Sequence, residues 1–299
     1  MRLRQAIRVA CVFSLVAVAA PLEARAEYYT PFNAFAAGDN AQHGNTVQCD
    51  AGDIAIGGGV AVPEATYADG VYLNTSRSDP VLNPMGGGWT IYVDNYLGGD
   101  PANNPRAYAV CDSKGKPANY FLRSEGMALG DGTQNGGVAA CEPGEVAVGG
   151  GGRSLDGVYT DENYQLISTP WDDPTENGSD RDDGWQVEFA NDEGGAAANT
   201  VSVYVVCDKK HKASGFEWVK EKSKVKDGDL ETAAAKCGKR PLVGGGVYGS
   251  GRYEHGLYIG QSFPRSLAGS RKAWTASVHN YETPDDDTRK FTVWAICKK

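Results

Sequence analysis

The feature that most constrains this chain is a pair of cysteines that recurs three times with the same landmarks between its members. The openers are Cys49, Cys141 and Cys237, and the closers are Cys111, Cys207 and Cys297. A glycine run starts 8, 8 and 7 residues after the openers, at Gly57, Gly149 and Gly244. A Ser-x-Pro follows in each copy, beginning at Ser78, Ser168 and Ser262. Next comes a tryptophan with an asparagine six residues on: Trp89 and Asn95, Trp185 and Asn191, Trp274 and Asn280. An aromatic stands three places before each closer (Tyr108, Tyr204, Trp294), and an aspartate ten places before each opener (Asp39, Asp131, Asp227). So many landmarks in register predict one structural unit written three times, over residues 27–111, 119–207 and 215–297.

Within each copy the side-chain period is two. Trp89-Thr-Ile-Tyr-Val-Asp, Trp185-Gln-Val-Glu-Phe-Ala and Trp274-Thr-Ala-Ser-Val-His alternate large apolar with smaller or polar residues, as half-buried strands do. Thr200–Cys207 and Lys290–Cys297 continue the pattern, and shorter strands are expected at 54–56, 71–73, 146–148 and 164–167. No stretch of 12 residues carries a 3.6-residue period, so even Glu217–Lys226 is expected to be non-helical. The fold class is all-β. The copies either form three separate β-sandwich beads or share one core around a pseudo-threefold axis, as in a β-prism. The small apolar content of each copy favours sharing, because a sheet of about 85 residues is marginal alone.

The first 26 residues read as a secretory signal: Arg2, Arg4 and Arg8, an apolar run from Val9 to Leu22, and Ala24-Arg-Ala26 before Glu27. The apolar run is too short for a permanent membrane span, and export places the chain in the periplasm or outside the cell. The mature chain keeps six cysteines, and an even count in an exported protein points to disulfides. Of the connectivities open to six cysteines, the repeat favours one staple per copy: Cys49–Cys111, Cys141–Cys207 and Cys237–Cys297. Past residue 26 the chain carries 25 Lys and Arg against 37 Asp and Glu, a balance of −12. With no arginine-rich face, that makes nucleic acid a poor partner.

The order Cys-x-Pro-Gly, Gly-Gly-Gly, Ser-x-Pro, Gly-Trp, Asn, aromatic-x-x-Cys resembles a β-domain of unassigned function in secreted bacterial proteins, also found at the ends of some bacterial collagen-like chains. A looser similarity is to the vitelline membrane outer layer proteins, three-sheet β-prisms. If single copies cap trimeric stalks, a tandem triplet is a covalent version of the trimer, which supports the threefold arrangement. The third copy departs from the pattern, with Cys237-Gly-Lys-Arg-Pro at its opener and Ala273 in place of the glycine before tryptophan.

Four kinds of site come into consideration. The glycine runs lack the helix and lysine of a phosphate cradle, so they read as bulges or close backbone approaches. The Trp/Asn pairs (Trp89 and Asn95, Trp185 and Asn191, Trp274 and Asn280) share a strand face and read either as core plugs with turn-closing amides or as sugar platforms. Loop aromatics add Trp171 and Tyr253, with Tyr67, Tyr72 and Tyr258, as places where a ligand would bind. Asp172, Asp173, Asp180, Asp182 and Asp183, with Asp285–Asp287, could hold calcium, but no calcium-loop spacing occurs and they read as solvated turns. His43, His211, His255 and His279 are scattered, and neither a nucleophile elbow nor a zinc motif is present. The expectation is a non-catalytic secreted binding or adhesion module, without metal or cofactor. Its partner would be a surface glycan or another secreted protein. The alternatives are a structural or protective envelope-associated protein and, further off, a secreted hydrolase or toxin component.

Overall fold

The computed structural model describes residues 26–38, 41–62, 71–79, 87–95, 104–154, 163–174, 182–191, 198–249, 257–268, 271–280 and 288–299. It is all-β. The strands are β1 (Tyr28–Tyr29), β2 (Phe32–Ala34), β3 (Ala41–Gln48), β4 (Ile54–Ala61), β5 (Val71–Asp79), β6 (Gly88–Asn95) and β7 (Arg106–Asp112). They continue with β8 (Tyr120–Gly130), β9 (Gln134–Ala140), β10 (Val146–Ser154), β11 (Asn163–Trp171), β12 (Gly184–Asn191) and β13 (Ala198–Asp208). The last are β14 (Phe216–Val225), β15 (Leu230–Gly238), β16 (Leu242–Gly249), β17 (Leu257–Leu267), β18 (Arg271–Asn280) and β19 (Arg289–Lys298). Single 3-10 turns, Pro117–Asn119 and Ala213–Gly215, are the helical pieces among the described residues. Glu217–Lys226 falls mostly within strand β14.

The strand order answers whether the segments are beads. A seven-stranded sheet runs β1-β7-β4-β17-β18-β15, with β2 also on β7, so strands from the first and third segments lie in one sheet. A six-stranded sheet runs β14-β19-β16-β11-β12-β9 and joins the third segment to the second. The three-stranded sheets β10-β13-β8 and β3-β6-β5 come from the second and first segments, and β10 lies against β5. Each segment therefore sends one group of strands to one neighbour and another group to the other. Their inward side chains merge into one main core that extends from Tyr28 to Cys297. The segments are interlocked.

Alternation selects what faces that core. Val201, Val203, Val205 and Cys207 on β13, and Phe291, Val293, Ala295 and Cys297 on β19, are buried at every second position. The disulfides then tie sheet to sheet. Cys49, just past β3, joins Cys111 on β7; Cys141, just past β9, joins Cys207 on β13; and Cys237 on β15 joins Cys297 on β19. In each case the two sulfurs come from different sheets.

The glycine runs sit where β4, β10 and β16 meet. A register step falls just before each run, between Ala55 and Gly57, Ala147 and Gly149, and Leu242 and Gly244. The bulged residue of one strand sets its carbonyl against the first glycine of the next. Ile56 O faces Gly149, Val148 O faces Gly244, and Val243 O lies 3.3 Å from where a Cβ on Gly57 would be. The contacts run in a closed ring, and a Cβ at Gly149 or Gly244 would overlap backbone. The second glycines, Gly58, Gly150 and Gly245, each lie under an indole, those of Trp89, Trp185 and Trp274. These glycines are required for close approach, since none of them has a left-handed φ.

Candidate functional site

The tryptophans and asparagines singled out in the sequence are inside. Trp89, Trp185 and Trp274 are at most 2% exposed, each with a glycine against its ring. Trp185 Nε1 donates to Ser168 Oγ (3.0 Å), and Trp274 Nε1 donates to Ser262 Oγ (2.8 Å), so the serine of Ser-x-Pro anchors the indole of its own segment. Asn191 and Asn280 are fully buried. Their backbone N–H groups donate to Thr133 O (2.9 Å) and Asp229 O (3.0 Å), and Asn191 Nδ2 donates to Gly130 O (3.2 Å). They close turns that lead into β9 and β15. Tryptophan and asparagine lie six residues apart on an extended strand, a separation of about 20 Å. The pairs therefore do not form compact platforms at the surface. Asn95 ends β6, and Trp171 ends β11 half-buried. Tyr253, Tyr67, His255, Asp180 and Asp285–Asp287 lie outside the described residues, and Tyr72 is described as backbone of β5. Tyr258 packs on a small satellite cluster of Leu166, Ile167 and Ala190.

Two other clusters are structural. The residue after each closing cysteine is Asp112, Asp208 and Lys298. Asp112 accepts from Tyr120 Oη (2.6 Å) and Lys114 N–H (2.8 Å). Asp208 accepts from Lys210 N–H (2.7 Å) and sits 2.6 Å from His211 Nδ1. Burial, with these carboxylates nearby, pushes the phenols of Tyr28 and Tyr120 well above the ordinary tyrosine range. Burial pulls the Lys298 ammonium below its own ordinary value, while its Nζ rests 4.4 Å from the Phe216 ring centroid. These groups cap turns and strand ends. Among the calcium candidates, Asp183 accepts from the backbone N–H of Asp173 (2.7 Å), a turn contact. Glu145 approaches Cys141 and Cys207, but those sulfurs are joined to each other and offer no thiolate.

A groove of different character lies at the seam between β7-β4 and β17. It has a volume of about 730 Å³, within the range of roughly 300–1,000 Å³ typical of small-ligand sites. Across its floor, Phe32, Tyr108 and Phe263 form a ladder of rings, with centroids 5.5 Å and 5.4 Å apart. The register explains the second distance. Tyr108 pairs with Gly59, and Ser262 pairs with Val60, which puts Phe263 across from Gly59. Tyr108 and Phe263 thus stand two strands apart, roughly 9.6 Å in backbone terms. Their rings nevertheless close to 5.4 Å, at the point where Gly59, lacking a Cβ, lets the Ser262–Phe263 backbone of β17 pack directly against β4. Phe32 is the most open of the three, at 52% exposed.

Polar groups surround the ladder. Gln261 is buried and fixed: its Oε1 accepts from Val62 N–H (3.1 Å), and its Nε2 donates to Ser277 Oγ (2.7 Å). Thr30, Asn104 and Ser266 line the walls. Arg106 sets its guanidinium 5.4 Å from the Phe32 centroid, and Arg265 is exposed at the other side. Among the described residues, the lining contains neither a carboxylate nor a histidine. Two residues in the frame could have signalled the groove. The middle residue of Ser-x-Pro is Asp79, Thr169 and Phe263, and the residue two before the closing aromatic is Arg106, Ser202 and Thr292. Only at one seam do phenylalanine and arginine fill these positions.

The chain matches no protein-family model, and no curated protein matches it at a significant level.

Proposed function

We propose that this chain is a secreted, non-catalytic binding module: three copies of one unit closed about a pseudo-threefold axis, holding a saccharide in the groove at a single seam. The observation that carries the reading is the Phe32–Tyr108–Phe263 ladder, open to solvent at its Phe32 end, beside Gln261 and Asn104. Aromatic faces hold the apolar faces of sugar rings, and fixed amides and hydroxyls read their hydroxyl groups. Among the described residues the lining holds no acid–base pair, which fits retention of a ligand rather than its hydrolysis. The thrice-repeated bulge, glycine and indole contacts support the copied unit, and three disulfides suit an oxidising compartment.

The test is a glycan array probed with the mature chain and with Phe32→Ala. We expect binding by the native chain and at least a tenfold loss in the variant, whose melting temperature should be unchanged because Phe32 is half in solvent. Retained binding in Phe32→Ala would move the site elsewhere.

A further inference from the structure

The groove carries more charge than a neutral sugar needs. Among the described residues, Arg123 pairs with Glu142 and Glu145, and Arg240 pairs with Glu217. Arg106 and Arg265 have no carboxylate partner among the described residues. The chain as a whole carries a net charge of −9, so positive charge left uncompensated beside one groove departs from the molecule's own balance. A guanidinium presents up to five donors in a planar fork, and the fork matches carboxylate and sulfate.

Their placement is set by strand geometry. Arg106 pairs with Ala61, two residues along from the Tyr108–Gly59 row and on the same face, so it occupies one side of the ladder. Arg265 lies two residues beyond Phe263 on the regular part of β17, on the same face and on the opposite side. The aromatic row is thus bracketed by positive charge along the strand direction. Stacking of Arg106 on Phe32 orients its guanidinium over the open end of the ladder while leaving N–H edges for a ligand.

Resting on the saccharide reading above, we propose that the groove selects an acidic oligosaccharide: a sugar face stacks on Phe32 and Tyr108, and carboxylate or sulfate groups to either side engage Arg106 and Arg265. The charges are common to uronate, sialyl and sulfated glycans, and the experiment separates these sources. Calorimetric titration of the mature chain is run with uronate, sialyl and sulfated oligosaccharides, each beside its neutral counterpart (methyl-esterified, desialylated or desulfated). At least one acidic probe should bind tenfold or more tightly than its neutral partner. The same binding should weaken fivefold or more in Arg106→Gln and in Arg265→Gln, and weaken further as salt is raised. Both side chains are exposed, so neither variant should lower the melting temperature. Equal affinity for acidic and neutral partners, with both variants unaffected, would overturn the selection and leave the saccharide reading standing. No binding to any probe by folded protein would remove both. Acidic binding that survives Arg106→Gln, Arg265→Gln and Phe32→Ala would place the site outside this groove.

Discussion

Glycine does two separate things in this chain, and single substitutions distinguish them. At Gly149 an added methyl group would strike the carbonyl of Ile56 on the neighbouring strand, and backbone in a closed ring has nowhere to go. Gly149→Ala is expected to cost about 1–3 kcal/mol or more, as overpacking does. Gly126, on the edge strand β8, has nothing within reach of a Cβ and no left-handed φ. Gly126→Ala should be neutral or should stabilise by about 0.4–1 kcal/mol through the unfolded chain. Urea denaturation of both variants checks the contrast. Glu188 supplies a pH test. It is half-buried and accepts a hydrogen bond from Gln134 Nε2, yet burial outweighs that bond and raises its carboxyl above the ordinary value of 4.5. A raised acid means the folded state holds its proton longer than the unfolded one. Stability from this group is therefore complete below pH 4.5 and falls as pH rises through the shifted value. Glu188→Gln keeps an acceptor for Gln134 and removes the titration. It should be more stable than wild type at pH 7 and equal to it near pH 4, as read by denaturant midpoints.

At the scale of elements, the strands that end sheets show how edges are kept from pairing with other molecules. On β14 the exposed face carries Lys220, Lys222 and Lys224, a charge row that discourages edge-to-edge association. On β8 the exposed Phe121 ring is approached by Arg123 and Lys209, both 5.7 Å from its centroid. The cross-links act at the same scale, because each ties two sheets rather than two neighbours in one sheet. Cys141–Cys207 closes a loop with a sequence separation of 66 residues, worth roughly 4 kcal/mol in the chain-entropy account. The double variant Cys141→Ser/Cys207→Ser should melt well below wild type by calorimetry while keeping its far-ultraviolet β signature. An unchanged melting temperature would mean that the sheet seams, rather than the staple, set stability there.

The whole molecule depends on seams between segments. In the middle segment, Ile167 and Ser168 of β11 pair with Tyr248 and Val247 of β16, and β10 lies against β5. Cut out alone, residues 119–207 would leave both strands as open, partly apolar edges and leave Gly149 without its facing carbonyl. A unit that cannot bury its own flanks needs neighbours to do so. We expect this fragment to trimerise or to fail to fold, and size exclusion with thermal unfolding distinguishes these outcomes from a bead. A stable monomer with a cooperative melt would show that the seams are dispensable.

Period-two alternation made the strands legible, because burial on one face leaves that mark in the chain itself, and a β-bulge before each glycine run was foreseeable from apolar residues giving way to glycines. One cysteine pair per segment led to the three disulfides that the structure contains. The sequence also left the Trp/Asn landmarks with two meanings. Their burial is a property of what packs against Trp185 and Trp274, here the glycine and serine of the same segment brought over from neighbouring strands, and no local pattern states it. The seams were likewise invisible: β4 meets β17 across some 200 residues, and a hydrogen-bond ladder between such strands has no composition of its own. The groove belongs wholly to that level. Phe32, Tyr108 and Phe263 come from three separate strands, and the last two meet where β17 backbone packs against Gly59 of β4. Alternation and landmarks are local, so the sequence determined the elements and their staples; the site is a juxtaposition across a seam, so only the tertiary structure decided it.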